Sequence, residues 1–157
     1  MGTATTDILT DRYGTPDQAP PIMAQPMGAN AKVYAGTIAI TRAGYVVPIA
    51  SSPQSTDIVW GIVDKQTDNT NSSFYGGAQG AVQAPIDRGA FWVAYSGTIT
   101  QANVNATVYT VDDQTVSLTQ GANGAIAGTI VAFDSTISKV AVALGSVSSG
   151  TVPGNPF

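Results

Sequence analysis

Ala84-Pro-Ile-Asp-Arg-Gly-Ala-Phe-Trp-Val-Ala-Tyr-Ser-Gly97 is the stretch whose reading decides the fold class. A proline and a short polar turn (Asp87, Arg88, Gly89) lead into a run that is apolar on both faces. In a strand, Phe91, Val93 and Tyr95 point one way, and Ala90, Trp92 and Ala94 point the other. A strand apolar on one face packs on a single core, so one apolar on both needs a second cover. In a small all-β domain another subunit or a partner surface is a common source of that cover.

Working outward, short strand patterns recur on both sides. Lys32–Ile40 and Tyr45–Ala50 read as a hairpin around Thr41-Arg-Ala-Gly44, and Pro48 demotes the second strand to an edge or a bulge. Asp57–Asp64 places Ile58, Trp60 and Ile62 on one face and Val59, Gly61 and Val63 on the other. Lys65–Gly80 reads as a long polar loop carrying Phe74 and Tyr75, of a length that is often either functional or mobile. Further strands are expected near Val82 and at Ala90–Tyr95, Thr107–Val111, Thr115–Thr119, Ala125–Phe133 and Lys139–Leu144. In Thr115–Thr119, Val116 and Leu118 are expected inside and Thr115, Ser117 and Thr119 outside. The tripeptide Gly-Thr-Ile starts at Gly36, Gly97 and Gly128, a spacing too irregular for a solenoid. The reading is all-β: a compact barrel or sandwich of about nine to ten short strands with an extended N-terminal arm.

Composition agrees. Charged residues make up 10% of the 157-residue chain, against about 25% in ordinary domains. All ten acids are Asp, so the Glu that commonly fills helix surfaces is missing. The six Lys and Arg are scattered and the net charge is −4, which argues against nucleic-acid binding. With no Cys and no His, disulfides, thiolate chemistry, a Ser-His-Asp triad and His-ligated metals are excluded. No apolar run approaches the roughly 18 residues of a membrane helix, and the N-terminus lacks the pattern of a signal peptide. Synthesis in a cytoplasm is expected.

The first 31 residues differ from the rest. Pro16, Pro20, Pro21 and Pro26 oppose regular structure, and the apolar residues Ile8, Leu9, Tyr13, Ile22, Met23 and Met27 follow no period. Residues 1–31 therefore read either as a disordered leader or, the reading favoured by those six side chains, as an extended arm whose apolar side chains contact a partner surface. Residues 32–145 read as the β-domain and 146–157 as a flexible Ser/Gly/Pro tail. A chain cut at residue 31 is expected to keep its β-domain.

Candidate chemistry is thin. Asp112 and Asp113 read as solvated turn residues. Asp57, Asp64 and Asp68 lack the spacing of a calcium loop, and Gly76-Gly-Ala-Gln-Gly80 is not followed by the Lys-Ser/Thr of a phosphate loop. No catalytic, cofactor or metal residues are nominated, and no cofactor is expected.

Taken in order, Ala35-Gly-Thr-Ile-Ala-Ile40, Ala43-Gly-Tyr45, Val59-Trp-Gly-Ile-Val63, Asp87-Arg-Gly-Ala-Phe-Trp-Val93, Ala106-Thr-Val-Tyr109, Val116-Ser-Leu-Thr119, Ala127-Gly-Thr-Ile-Val131 and Val140-Ala-Val-Ala-Leu144 resemble the block series of the head decoration (capsid cement) proteins of tailed bacteriophages. The blocks span residues 32–144. Val104-Asn-Ala106 and the long loop from Lys65 depart from the family pattern, and the arm lies outside it. The resemblance implies a non-enzymatic virion protein on the outer surface of an icosahedral head. Its expected partners are the major capsid protein and two further copies in a homotrimer, with neither nucleic acid nor membrane. On this reading Ile8, Leu9, Tyr13, Ile22, Met23 and Met27 touch the capsid, and Arg88, Trp92 and Trp60 lie between subunits. The alternatives are a virion-surface adhesive or glycan-binding module using Phe74 and Tyr75, and an Asp-dependent hydrolase.

Overall fold

A computed structural model of the chain describes residues 3–13, 22–49 and 53–145. The segment 146–157, read above as a tail, lies outside the described residues. The chain is all-β, with twelve strands among the described residues: β1 (Ile22–Pro26), β2 (Ala31–Val33), β3 (Ile38–Arg42), β4 (Tyr45–Val47), β5 (Ile58–Val63), β6 (Thr67–Asn69), β7 (Gln83–Asp87), β8 (Ala90–Ser96), β9 (Thr107–Thr110), β10 (Thr115–Ser117), β11 (Ile126–Asp134) and β12 (Lys139–Leu144). Among the described residues no helix is long and apolar enough to cross a membrane.

Five of these strands close a barrel in the order β10-β8-β12-β11-β9, with β9 completing the circle against β10. The quoted stretch supplies β8, which is antiparallel to β12 and parallel to β10. Closure removes the free edges that a small sheet would otherwise present. A second sheet runs β1-β7-β5-β3-β4, and β2 pairs with β6 separately. A parallel bridge from Met27 to Val46 ties the start of this sheet to its end, so the sheet rolls back on itself.

Each unit has an interior, and the two share a boundary. Phe91, Val93, Val108, Ile130 and Val142 from the barrel pack with Ile38, Ile40, Val59 and Ile62 from the sheet in one core. Met27, Ala39, Val46, Val63, Ala84 and Ile86 form a second core inside the rolled sheet. Strands β3 and β5 are therefore covered on both faces, by the two cores of one chain.

The structure overturns some sequence expectations. The first strand begins at Ile22, inside the stretch read as an arm, and all five residues of β1 pair with β7. Met27 is fully buried. The loop from Lys65 contains β6, held to β2 with Lys32 opposite Asp68. A bulge opposite Ala39 and Ile40 lets β5 fit one extra residue. Alternation slips there: Val59 and Ile62 reach the first core, while Trp60 and Val63 pack with the second. Thr115 and Ser117 are buried rather than outside, on a strand flanked by β8 and β9. Strand β4 ends before Pro48 and lies last in its sheet, as expected of an edge.

Candidate functional site

The second face of β8 is covered in part by the chain's own N-terminal segment. β10 pairs with β8 only from Ala94 to Ser96, which leaves the edge of Ala90–Trp92 to another segment. Residues 11–13 take it: the Trp92 N–H donates to the Asp11 carbonyl (2.9 Å), and the Tyr13 N–H donates to Ala90 (2.7 Å). Tyr13 meets Trp92 edge to face at 5.6 Å, a geometry that aromatic pairs favour.

Upstream, the same segment straps both units together. The Ile8 N–H donates to the Ala35 carbonyl (2.8 Å), and the Thr10 hydroxyl donates to Gly36 (2.6 Å). Arg12 forms an ion pair with Asp87, donates to the Arg88 carbonyl (2.8 Å) and lies over the Phe91 ring. Two glycines make room for this path. Gly36 and Gly89 both have positive φ, and a Cβ there would collide with the Ile8 carbonyl and the Arg12 guanidinium.

The strap ends on a buried carboxylate. Asp113, expected in water, is only 4% exposed, and Asp112 is buried beside it. The Ala4 N–H donates to both Asp113 carboxylate oxygens at 3.1 Å, and the Asp113 carbonyl accepts from Ile38 (2.8 Å). Asp112 accepts from the Gln114 N–H (2.8 Å), so a tight turn has been folded under the strap.

Burial raises the Asp113 carboxyl above its ordinary value; the Ala4 N–H opposes this, and the charge of Asp112 adds to it. Asp87 is raised too, because burial outweighs the neighbouring Arg12. Both carboxyls hold a proton more readily in the fold than in the open chain. Their ionisation therefore weakens the fold above the folded values, and stability rises as pH falls through them. The gain stops at about 3.9, where the open chain is also protonated. Asp68 and Asp134 are held low by hydrogen bonds from Thr70 and Thr136, and they work the other way below that value. The midpoint of urea unfolding is expected to increase as pH falls through the raised folded values of Asp113 and Asp87 toward about 3.9. Asp113→Asn keeps an acceptor for Ala4 and should flatten that slope. A variant whose slope equals that of the native chain would exclude Asp113 as its source.

The nominated surface residues fall as follows. Ile8, Leu9 and Trp92 line one shallow depression of ≈ 170 Å³. Leu9 is 85% exposed, and Tyr13 and Ile22 are exposed as well. Ile22 is in register with Asp87, the partner of Arg12. Arg88 lies over the Trp60 ring at 5.5 Å and donates to the Met23 sulfur (3.5 Å). The Trp60 indole N–H donates to the Thr41 hydroxyl (2.8 Å). These contacts link Tyr13 with Trp92, and Arg88 with Met23 and Trp60; Ile22 is joined to Arg12 through Asp87. Met27 stands apart, because its side chain fills the second core and cannot touch another protein.

Sequence reasoning missed Arg12 and Asp113, the two residues that pin the strap. A lone arginine amid prolines and an Asp-Asp pair give no local signal of contacts so distant in the chain. Two of the three carboxylates weighed for a cation, Asp57 and Asp68, are engaged by the chain itself. Asp57 takes a two-point contact from Arg42 (2.8 and 2.9 Å), and Asp68 accepts from Thr70 (2.9 Å). Among the described residues no group of three or more Asp side chains is placed to hold a metal ion.

No family model matches the chain, and no curated protein or solved structure matches it either.

Proposed function

We propose that the chain is a structural virion protein that binds the outer surface of an icosahedral phage head and reinforces it, acting as a homotrimer. The observation that carries this reading is the ordered block series, which falls on strands and turns from β3 to β12 of a single all-β body. The surface around the strap supports it. Leu9, Tyr13 and Ile22 keep apolar side chains in water on a framework fixed by backbone hydrogen bonds, which is how rigid contact residues are held ready for a partner. Arg88 and Trp60 add the arginine and tryptophan that interfaces favour.

The test is reattachment. Purified protein mixed with heads assembled without it should co-sediment with them, and alone it should sediment as a trimer. Leu9→Asp combined with Tyr13→Asp should weaken attachment at least about tenfold, since burying an unpaired charge costs more than 1.4 kcal/mol. A monomer that stays in the supernatant would end the proposal.

A further inference from the structure

The loop around Phe74 and Tyr75 has no part in the attachment reading, and the two surfaces share no residue among those named above. Phe74 is 96% exposed. A lone exposed apolar residue needs no explanation, but this one is paired and held. Tyr75 meets it edge to face at 5.4 Å with the rings at 90°. The loop beneath is pinned at close intervals. The Asp68 carboxylate accepts from the Thr70 N–H (2.9 Å) and hydroxyl (2.7 Å), and the Ser73 hydroxyl donates to the Thr70 carbonyl (2.7 Å). The Asn71 N–H donates to the Asn30 side chain (2.9 Å), and the buried Asn69 amide donates to the carbonyls of Gly28 and Ala78. The aromatic pair thus stands on a fixed base, and a ligand would not have to order it.

Beside the pair lies an open cleft of ≈ 420 Å³, within the size range of small-molecule sites. Gln66, Ser73 and Gln83 line it with amide and hydroxyl groups, which both donate and accept hydrogen bonds. Its charged liners are Lys65 and Asp68, of opposite sign, and the Lys32 ammonium lies 3.7 Å from Asp68. Between the two charged residues that line the cleft, neither sign dominates to select an anion or a cation. Flat aromatic faces beside amides and a hydroxyl, in a cleft of balanced charge, match a ligand with apolar C–H faces and a rim of neutral hydroxyls.

We infer that the cleft bounded by Phe74, Tyr75, Gln66 and Gln83 binds a neutral carbohydrate chain, with a sugar ring stacked on the face of one of the two aromatic rings and its hydroxyls held by the amides. This site gives the protein a second binding activity and does not depend on the capsid reading.

The probes are gels cast with a neutral glucan, mannan or galactan, with alginate as the anionic polymer. The native chain should be retarded by at least one neutral polymer and not by alginate. Phe74→Ala with Tyr75→Ala should weaken that retardation at least tenfold while leaving the melting temperature unchanged, because Phe74 supports no core. Gln83→Ala should weaken it too. The inference is overturned if no neutral polymer in the panel retards the chain, if alginate retards it more, or if the aromatic variant is retarded equally. It is also overturned if the aromatic variant changes self-association and nothing else, since the pair would then be a contact between copies.

Discussion

A chain lacking residues 1–31 is expected to lose its cooperative unfolding transition and the near-ultraviolet ellipticity of its packed aromatics, whereas one lacking only residues 1–13 should keep both. The first cut removes β1, whose five residues pair with β7, and with it Met27 and Ala31 of the second core. Losing buried methionine packing costs about 2–5 kcal/mol by itself. The same cut exposes the edge of β7 and breaks the bridge to Val46 that closes the rolled sheet. Domains of this size are stable by about 5–15 kcal/mol in total, so the losses together approach the whole of it. The shorter cut takes away the strap bonds at Asp113, Ala35, Asp87 and β8 but leaves both cores filled. Urea titration of the two truncations against the full chain checks the contrast. A cooperative, native-like transition in the chain that starts at residue 32 would refute the role given to β1.

That stretch shows where local sequence stops being informative. Ile22-Met-Ala-Gln-Pro26 has no alternation and ends in proline, so neither periodicity nor propensity marks a strand. It becomes one because β7 offers a free edge and because Met27, just beyond it, drops into the second core. Pro26 is tolerated since β1 is the first strand in its sheet order. β6 is similar: Thr-Asp-Asn is a turn composition made into a strand by β2 and the Lys32–Asp68 ion pair. By contrast β8, β9, β11 and β12 are legible from their apolar patterns alone, because they carry the core residues of a closed barrel. Burial of Asp112 and Asp113 was hidden for another reason. The group that covers Asp113 is Ala4, 109 residues away, and no window of sequence contains both.

The candidate surface was legible to the same degree and for the same reasons. Leu9, Tyr13 and Ile22 are isolated apolar residues in a proline-rich stretch, and they do lie exposed on the described surface. Met27 has the same local character and is wholly buried, so isolation in sequence does not separate the two outcomes. What separates them is the face each side chain takes, since Tyr13 and Ile22 are backbone-paired as well. Met27 donates to the Val82 carbonyl (2.9 Å), and its neighbour Gly28 donates to Val46 (2.8 Å), which carries the side chain inward. The strap path depends on Gly36 and Gly89, whose small size can be read, but what passes over them cannot.

Phe91→Ala is expected to lower the free energy of unfolding by about 3–5 kcal/mol, and Trp92→Ala by no more than about 2 kcal/mol, although tryptophan is the larger side chain. The two residues are adjacent on β8 and point to opposite faces. Phe91 is 2% exposed and sits where barrel and sheet share a core, so its removal leaves a cavity that rigid strands on both sides cannot close. It also takes away the ring beneath the Arg12 guanidinium, which lies 4.8 Å from its centroid. Trp92 is half-buried beneath the strap, and Tyr13 can settle toward the space it vacates. Arg12 and the backbone bonds of Asp11 and Tyr13 remain in the Trp92 variant, so the strap should stay docked. Guanidinium unfolding of both variants measures the difference. Equal losses would mean that the outer face of β8 is as tightly enclosed as the inner one, contrary to the facing assigned here. A small loss at Phe91 would mean that the shared core can collapse, and that barrel and sheet are joined more by the strap than by their common interior.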